Sequence, residues 1–160
     1  MSQGLDAFEP LPREHEVFGY LIDKFGFRKQ DFRPYRLWHR PGHASIWMSR
    51  TECLPCSEVK VHSVGILLFR KMPPRGFPTT AFILRFGHLA GRSVLDLSWD
   101  QALDLMLGKS IPDPGGSQGK GPYVLRTLGR GLGRGWIGQS ELKLDVPKIW
   151  KAQLAQWLHR

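Results

Sequence analysis

The amino-acid sequence predicts an α+β protein, in which helices and short strands are mixed along the chain. Helical and strand-like segments follow one another without the regular strand–helix alternation of a parallel doubly wound sheet. In the C-terminal part, glycines separate short alternating runs, a pattern typical of a small curled sheet or barrel. With 160 residues, of which 41% are hydrophobic, the chain has room for one compact domain or two very small ones.

The first regular element that the sequence predicts is a helix over 14–25. Gly26 stands where a left-handed C-terminal cap is expected, so the helix should end there. Residues 1–13, which contain two prolines, are expected to form a flexible leader. The apolar residues of the predicted helix recur at a spacing that aligns them along one face: Val17, Phe18, Leu21, Ile22 and Phe25.

A β-hairpin is predicted after this helix. Two β-prone runs, 35–40 and 44–50, flank a Pro-Gly turn, and this arrangement is typical of two antiparallel strands. A longer strand is predicted over 59–70. Within it, Gly65 indicates either a bulge or a place where another backbone approaches closely.

Two more helices are predicted in the middle of the chain. The segment 79–86 favours a short helix, because a threonine precedes it and a glycine follows it. A short strand is predicted over 93–97. Ser98 and Gln101 then match a capping box, in which the side chain of each residue accepts a hydrogen bond from the backbone N–H of the other. Gly108 is expected to end that second helix.

The C-terminal part is predicted to combine a loop, short strands and a last helix. The segment 112–121 is rich in proline and glycine, so we expect a loop there. Short strands with glycines at the corners are predicted between 121 and 144. Pro147 suits the first turn of a helix, and the apolar residues that follow have helical spacing: Trp150, Leu154, Trp157 and Leu158.

The charge of the chain favours a polyanionic partner. Lysine and arginine number 23 against 14 aspartates and glutamates, which gives a formal net charge of +9. An excess of this size on a short chain is typical of nucleic-acid binding. The sequence lacks a GxGxxG after a predicted strand, a GxxxxGK[ST] loop and an HExxH motif. We therefore expect a binding protein with no cofactor, and not an enzyme.

The basic residues are unevenly distributed. The stretch 59–95 contains no acid, and neither does 115–140, whereas 27–40 interleaves cations with aromatic residues. Cations that neutralise phosphates release counterions, and aromatic faces can stack on unpaired bases. The cations of the two acid-free stretches are Lys60, Arg70, Lys71, Arg75, Arg85, Arg92, Lys120, Arg126, Arg130 and Arg134.

The two cysteines do not form a disulfide framework of the secreted type, so we expect a reducing, cytoplasmic compartment. The N-terminal residues carry no apolar core of a signal peptide, and no apolar run approaches the roughly 18 residues of a membrane span.

We expect no metal, with exposed histidines and loop cysteines. The alternative is a Cys2His2 zinc site, formed by His39, His43, Cys53 and Cys56.

Three short motifs in the C-terminal part carry a resemblance to a known RNA-binding fold. They are Gly121-Pro-Tyr-Val-Leu-Arg, Leu132-Gly-Arg-Gly-Trp and Leu142-Lys-Leu-Asp-Val-Pro-Lys. They resemble the strand, the Leu-Gly turn and the closing Leu-Lys-(Asn)-x-x-Pro-Lys of the PUA-like RNA-binding domain in Sun-family rRNA cytosine-5 methyltransferases. The chain departs from that pattern in two ways: Lys143 is followed by Leu144 and not by asparagine, and a methyltransferase domain is missing.

Upstream motifs resemble the segment that precedes the PUA fold in small ribosome-assembly factors. These motifs are Val64-Gly-Ile-Leu-Leu-Phe-Arg70, Pro78-Thr-Thr80 and Arg85-Phe-Gly87. The resemblance implies an N-terminal pre-PUA-like α/β module over 14–87, followed by a C-terminal PUA-like β pseudo-barrel over 88–160.

The resemblance also implies a function and a binding surface. It implies a stand-alone module that docks on structured RNA, either rRNA or tRNA, through a basic groove, as in RNA modification or ribosome biogenesis. The alternative is an interaction subunit of a separately encoded RNA methyltransferase or ribosome-assembly particle, which would dock through Trp150 and Trp157. Together with the charge distribution, the resemblance predicts RNA contacts at Arg70, Lys71, Arg75, Arg85, Gly91, Arg92, Arg126, Arg130, Arg134, Lys143 and Lys148.

Overall fold

The computed structural model describes residues 7–12, 15–55, 60–145, 147 and 149. It confirms the mixed α+β class, with two separate β-sheets. The chain divides into two compact units, Met1–Phe82 and Ile83–Arg160. The predicted domain limits, 14–87 and 88–160, stay a prediction, because compactness alone does not test independent folding.

The first unit contains a four-stranded antiparallel sheet whose strands are neighbours in chain order. The predicted hairpin is confirmed, because its two strands pair in register from Tyr35 opposite Arg50 to His39 opposite Ile46. The strands are β1 (Glu9–Pro10), β2 (Tyr35–His39), β3 (Ile46–Arg50) and β4 (Ile66–Phe69).

The predicted first helix is confirmed as α1 (Glu16–Phe25). It begins at His15, whose Nδ1 accepts a hydrogen bond from the Val17 N–H at 3.3 Å. It ends at Gly26, which has a φ of 66° and donates its N–H to the carbonyl of Ile22. Val17, Leu21 and Phe25 of its apolar stripe are buried, whereas Phe18 and Ile22 are half-buried. Phe25 lies in a cluster of aromatic ring contacts with Phe27, Phe77 and Tyr20.

Two elements of the first unit differ from their prediction. Strand β1 pairs with β2, and Phe8 is buried edge-on against Trp47, so part of the expected leader is packed on the sheet. The burial of the Phe8 ring favours the packing of this segment on the sheet. Strand β4 covers only the last part of the predicted strand 59–70, whose first residue lies outside the described residues. It begins after Gly65, whose φ is 63°.

The second unit contains a five-stranded mixed sheet that curls into a half-barrel. Its strand order is β5-β7-β8-β9-β6, in which β5 runs parallel to β7 and the other pairs are antiparallel. The boundary between the units falls within helix α2. The elements are α2 (Thr80–Phe86), β5 (Val94–Leu97), α3 (Trp99–Met106), β6 (Ile111–Pro112), β7 (Gly121–Thr127), β8 (Arg130–Ile137) and β9 (Glu141–Asp145).

Local sequence signals fix the ends of α3. The Ser98 side chain accepts a hydrogen bond from the Gln101 N–H, and the Gln101 side chain accepts one from the Ser98 N–H. This confirms the predicted capping box. Gly108, with a φ of 86°, follows the helix and ends it as predicted. The inner face of α3 packs through Ala102 and Leu105 against the sheet's apolar side chains.

The predicted last helix lies almost entirely outside the described residues, as do Trp150 and Trp157. Among the described residues, no helix is long and apolar enough to cross a membrane.

Candidate nucleic-acid interface

The exposed aromatic side chain of Trp136 marks the centre of the candidate interface. Successive side chains of a strand point to opposite faces, so the neighbours of Trp136 on β8 face the core: Gly135 and Ile137 are buried. The Trp136 side chain itself is 55% exposed. A tryptophan that the core does not enclose presents a large flat surface to solvent.

A cation lies directly beside this tryptophan. Lys143 on β9 is the register partner of Trp136, and cross-strand partners place their Cβ atoms about 5 Å apart. Lys143 is exposed, while its neighbours Leu142 and Leu144 are buried in the core. Within the described part of the chain, Lys143 takes part in no ion pair. We call Pro122, Trp136 and Lys143, which are adjacent across β7, β8 and β9, the Trp136 row.

The next row of the same face contains an ion pair. Arg134 lies two residues before Trp136 and pairs in register with Asp145, to which its Nη2 donates. On its other side, Arg134 is opposite Val124, which is fully buried. Glu141 also lies on this side of β9, two residues from Lys143. The predicted contact Arg134 therefore stands beside the Trp136 row with its charge partly balanced.

Arg126 has its donors engaged within the protein. Its Nε and Nη2 donate to the two carboxylate oxygens of Asp96 at 2.8 and 2.7 Å. Its Nη1 donates to the carbonyl of Ala90 at 3.1 Å and to that of His88 at 3.4 Å. The hydrogen bonds from Arg126 lower the pKa of the Asp96 carboxyl. Arg126 thus fastens the segment before β5 to β7, and its predicted RNA contact is not part of the proposed interface.

Arg130 is exposed at the beginning of β8. It follows the turn of Leu128 and Gly129, which both have a positive φ, as a type I′ hairpin turn requires. Gly131 then approaches helix α2 so closely that a Cβ at this position would lie 2.0 Å from the Ile83 carbonyl oxygen. This contact fixes the backbone next to Arg130, whose guanidinium has no ion pair among the described residues.

Three further predicted contacts lie around the turn after α2. Arg85, Gly91 and Arg92 are all exposed. The turn between them is tightly packed, since a Cβ on Gly87 would lie 2.9 Å from Ile83 and 3.2 Å from Val124. Gly87 therefore packs on Val124 at one end of the sheet face.

The remaining predicted residues belong to other parts of the chain. Arg70, Lys71 and Arg75 are exposed in the first unit, directly after β4 and in the loop that follows. Lys148 lies outside the described residues.

The alternative zinc set is only partly described. His39 lies on β2, where its Nε2 is 3.6 Å from a carboxylate oxygen of Glu9. Cys53 is exposed with a free thiol in the turn after β3, and Cys56 lies outside the described residues. In the part of the chain that the structure describes, no three histidine, cysteine or acidic side chains are grouped to hold a metal ion.

Sequence reasoning missed Trp136, although the sequence contains a signal for it. Trp136 stands between Gly135 and Ile137, and Lys143 stands between Leu142 and Leu144. In strands with one buried face, this alternation places the tryptophan and the lysine on the outer side. The register that makes them neighbours is not encoded in the spacing.

The sequence matches no protein-family model, and no curated protein matches it.

Proposed function

We propose that this protein binds structured RNA, either rRNA or tRNA, and that its second unit acts as a PUA-like docking module with no catalytic step of its own. The observation that carries the proposal is the Trp136 row, in which an exposed tryptophan lies beside an exposed lysine on the outer face of the sheet. Base–aromatic stacking contributes about 1–3 kcal/mol per base.

The row suits an unpaired nucleotide in a loop or bulge. Such a nucleotide presents a flat base and a phosphate to the same surface, so the base can stack on the indole of Trp136 while Lys143 contacts the phosphate. Arg130 and Lys120 are exposed at the two ends of β7 and β8 and carry no ion pair among the described residues. They would contact phosphates of the flanking stem.

The net charge of the whole chain supports the same partner. A formal charge of +9 raises the local concentration of a polyanion and accelerates its association. Part of the charge is engaged internally in the second unit, where Arg126, Arg134 and Lys109 are bonded to carboxylates. The proposed contacts therefore use the remaining cations and not the whole excess.

The alternative function, an interaction subunit of a separately encoded RNA methyltransferase or ribosome-assembly particle, stays a prediction. It depended on Trp150 and Trp157, which lie outside the described residues.

The first experiment compares Trp136→Ala with the wild type in binding a fluorescein-labelled RNA hairpin that has a single-stranded loop. We expect fluorescence anisotropy to show an affinity loss of about 5- to 150-fold, which corresponds to the stacking energy of one base. Trp136→Phe should retain most of the affinity, because a phenyl ring also stacks. The fold should be unaffected, since Trp136 is largely outside the core.

The matched control is Trp99→Ala, which removes another exposed tryptophan from the same unit, at the start of α3. We expect this variant to bind the hairpin as the wild type does. The proposal is wrong if both alanine variants bind equally, or if the wild type shows no affinity for the hairpin at low salt.

A further inference from the structure

A pocket of about 310 Å³ lies in the first unit, against one face of α1. Its size is at the lower end of the range for small-molecule sites, which accommodate one compact ligand. Aromatic and aliphatic side chains form most of its wall, and the rings of Phe18 and Phe32 are 5.4 Å apart. The lining residues are His15, Phe18, Gly19, Ile22, Lys29, Phe32, Arg33 and Tyr35.

The polar part of the lining favours an anion. Lys29 and Arg33 are exposed at the rim, and neither forms an ion pair among the described residues. None of the lining residues is acidic. Asp31 stands between the two cations in the sequence, but its carboxylate accepts hydrogen bonds from the Arg28 backbone N–H at 3.0 Å and from the Arg28 guanidinium at 3.3 Å. Its charge is therefore engaged by Arg28.

The beginning of α1 adds a further donor to the lining. Because the His15 Nδ1 accepts the Val17 N–H, the proton of a neutral imidazole resides on Nε2, which is then a donor. A helix N-terminus also favours negative charge in its vicinity.

Gly19 keeps the pocket open. A glycine in the interior of a helix costs about 0.5–1 kcal/mol relative to alanine. No neighbour demands a glycine there, because a Cβ on Gly19 would meet nothing within 4 Å. The space that a side chain would occupy belongs to the pocket that Gly19 lines.

We propose that this pocket binds a nucleotide, with the base against the apolar wall of Phe18, Ile22 and Phe32 and the phosphate held by Lys29 and Arg33. Flat apolar walls suit an aromatic ring, and guanidinium and ammonium groups suit a phosphate. The nucleotide could be a free mononucleotide or an unpaired nucleotide of an RNA. This site is separate from the Trp136 row, and the proposal does not depend on RNA binding there.

The test measures the binding of AMP, GMP, CMP and UMP to the full-length protein by isothermal titration calorimetry. We expect at least one mononucleotide to bind, and adenosine or ribose 5-phosphate to bind at least tenfold more weakly than AMP, because each lacks one half of the recognised group. If none of the four mononucleotides binds, or if ribose 5-phosphate binds as tightly as AMP, the proposal is overturned.

Two variants locate the binding in the pocket. Gly19→Leu fills the space above the helix, and we expect it to reduce mononucleotide affinity at least tenfold while the thermal midpoint is maintained or raised. Arg33→Gln removes one phosphate ligand without filling the pocket and should also reduce affinity. Gly138→Leu is the matched control, since a Cβ there also meets nothing within 4 Å and the site is in the second unit. Unchanged affinity in both pocket variants contradicts the proposal.

A competition experiment separates the two sources of the nucleotide. If an excess of AMP releases the labelled RNA hairpin from the Trp136→Ala variant, the pocket takes a nucleotide of the RNA. If AMP binds but releases no RNA, the pocket takes a free nucleotide. Loss of AMP binding in Gly19→Leu with unchanged hairpin affinity supports this site whatever the outcome at Trp136.

Discussion

Arg126 shows that the partner of a charged residue cannot be predicted from its neighbours in the sequence. Its place in an acid-free stretch predicts a phosphate contact, but its carboxylate partner Asp96 lies 30 residues away in the sequence. The two meet because β5 and β7 pair in parallel, with Asp96 opposite Arg126. Sequence reasoning could identify both charges but not their pairing, since the register of non-adjacent strands depends on the packing of the whole sheet.

We expect Arg126→Ala to lower the free energy of unfolding at pH 7 by about 1–2 kcal/mol. The variant loses the ion pair with Asp96 and the hydrogen bonds to the Ala90 and His88 carbonyls. The ion pair contributes little to the free energy of unfolding, because the carboxylate is largely exposed. Because the folded-state pKa of Asp96 is lowered, the ion pair stabilises the fold above the unfolded pKa, near 3.8. The stabilisation by this ion pair is lost as the pH falls through the lowered pKa of Asp96 in the folded protein. Urea unfolding at pH 7 and in this acidic window measures both effects.

The control for this prediction is Arg130→Ala, which removes an exposed arginine from the same hairpin. We expect a change within about 0.5 kcal/mol at all pH values, as for ordinary surface substitutions. Equal destabilisation by the two substitutions at pH 7 would show that the Arg126 bonds contribute nothing specific.

Among the elements, those with strong local signals could be predicted and those that depend on distant partners could not. Helix α1 has its apolar stripe and its Gly26 cap, and α3 has its capping box, so both follow from neighbouring residues. Strand β1 has only two residues and no pattern of its own. It forms because Phe8 finds a buried site beside Trp47, a contact that local propensity does not encode.

Gly65 is the glycine on which the edge of the first sheet depends. Its φ is 63°, and a Cβ there would lie 2.2 Å from the Met48 carbonyl oxygen and 2.9 Å from Ser49. Of the two predicted explanations for this glycine, the close approach of another backbone is confirmed. Both the conformation and the contact therefore exclude a side chain at the start of β4.

We expect Gly65→Ala to destabilise the protein by about 2–4 kcal/mol, because the backbone strain and the displacement of β3 add together. Thermal unfolding monitored by circular dichroism measures the loss. Gly42→Ala provides the comparison: its φ is also positive, at 79°, but a Cβ there meets nothing within 4 Å, so only the smaller conformational strain remains. If the two variants melt at the same temperature, the contact with β3 is without consequence.

At the scale of the whole molecule, the order of the predicted elements could predict the α+β class, and the net charge indicated the kind of partner to propose. Neither could locate the surface. The net charge shows that cations are in excess, but it does not identify which of them form ion pairs within the protein. In the second unit, the structure assigns Lys109 to Asp104 and Arg134 to Asp145. The proposed binding face therefore depends on the cations that lie outside these internal pairs, and only the structure shows which those are.

This distinction predicts how RNA binding depends on salt. For the labelled hairpin, we expect the logarithm of the association constant to fall linearly with the logarithm of salt concentration, because each phosphate contact releases counterions. Lys143→Ala should make the slope shallower by about 0.7, the value for one lost contact with a single strand. Anisotropy titrations at several salt concentrations measure the slope.

The comparison variant is Lys109→Ala, whose ammonium is 2.6 Å from a carboxylate oxygen of Asp104. We expect it to leave the slope unchanged, since the bonded lysine makes no phosphate contact in the proposed arrangement. If both lysine variants reduce the slope equally, binding depends on total charge and not on the face that contains Trp136.

The parallel pairing of β5 with β7 has a consequence for how the second unit assembles. Strands β7 and β8 are joined by a two-residue turn, and such hairpins close within about 1–10 µs because little chain entropy is lost. Strand β5 can pair with β7 only after the connection that contains α3 has packed on the sheet. This pairing joins residues that are distant in the sequence, so it is expected to be slower. The hairpin that contains Trp136 is therefore expected to form early in folding, and β5 is expected to pair with it late.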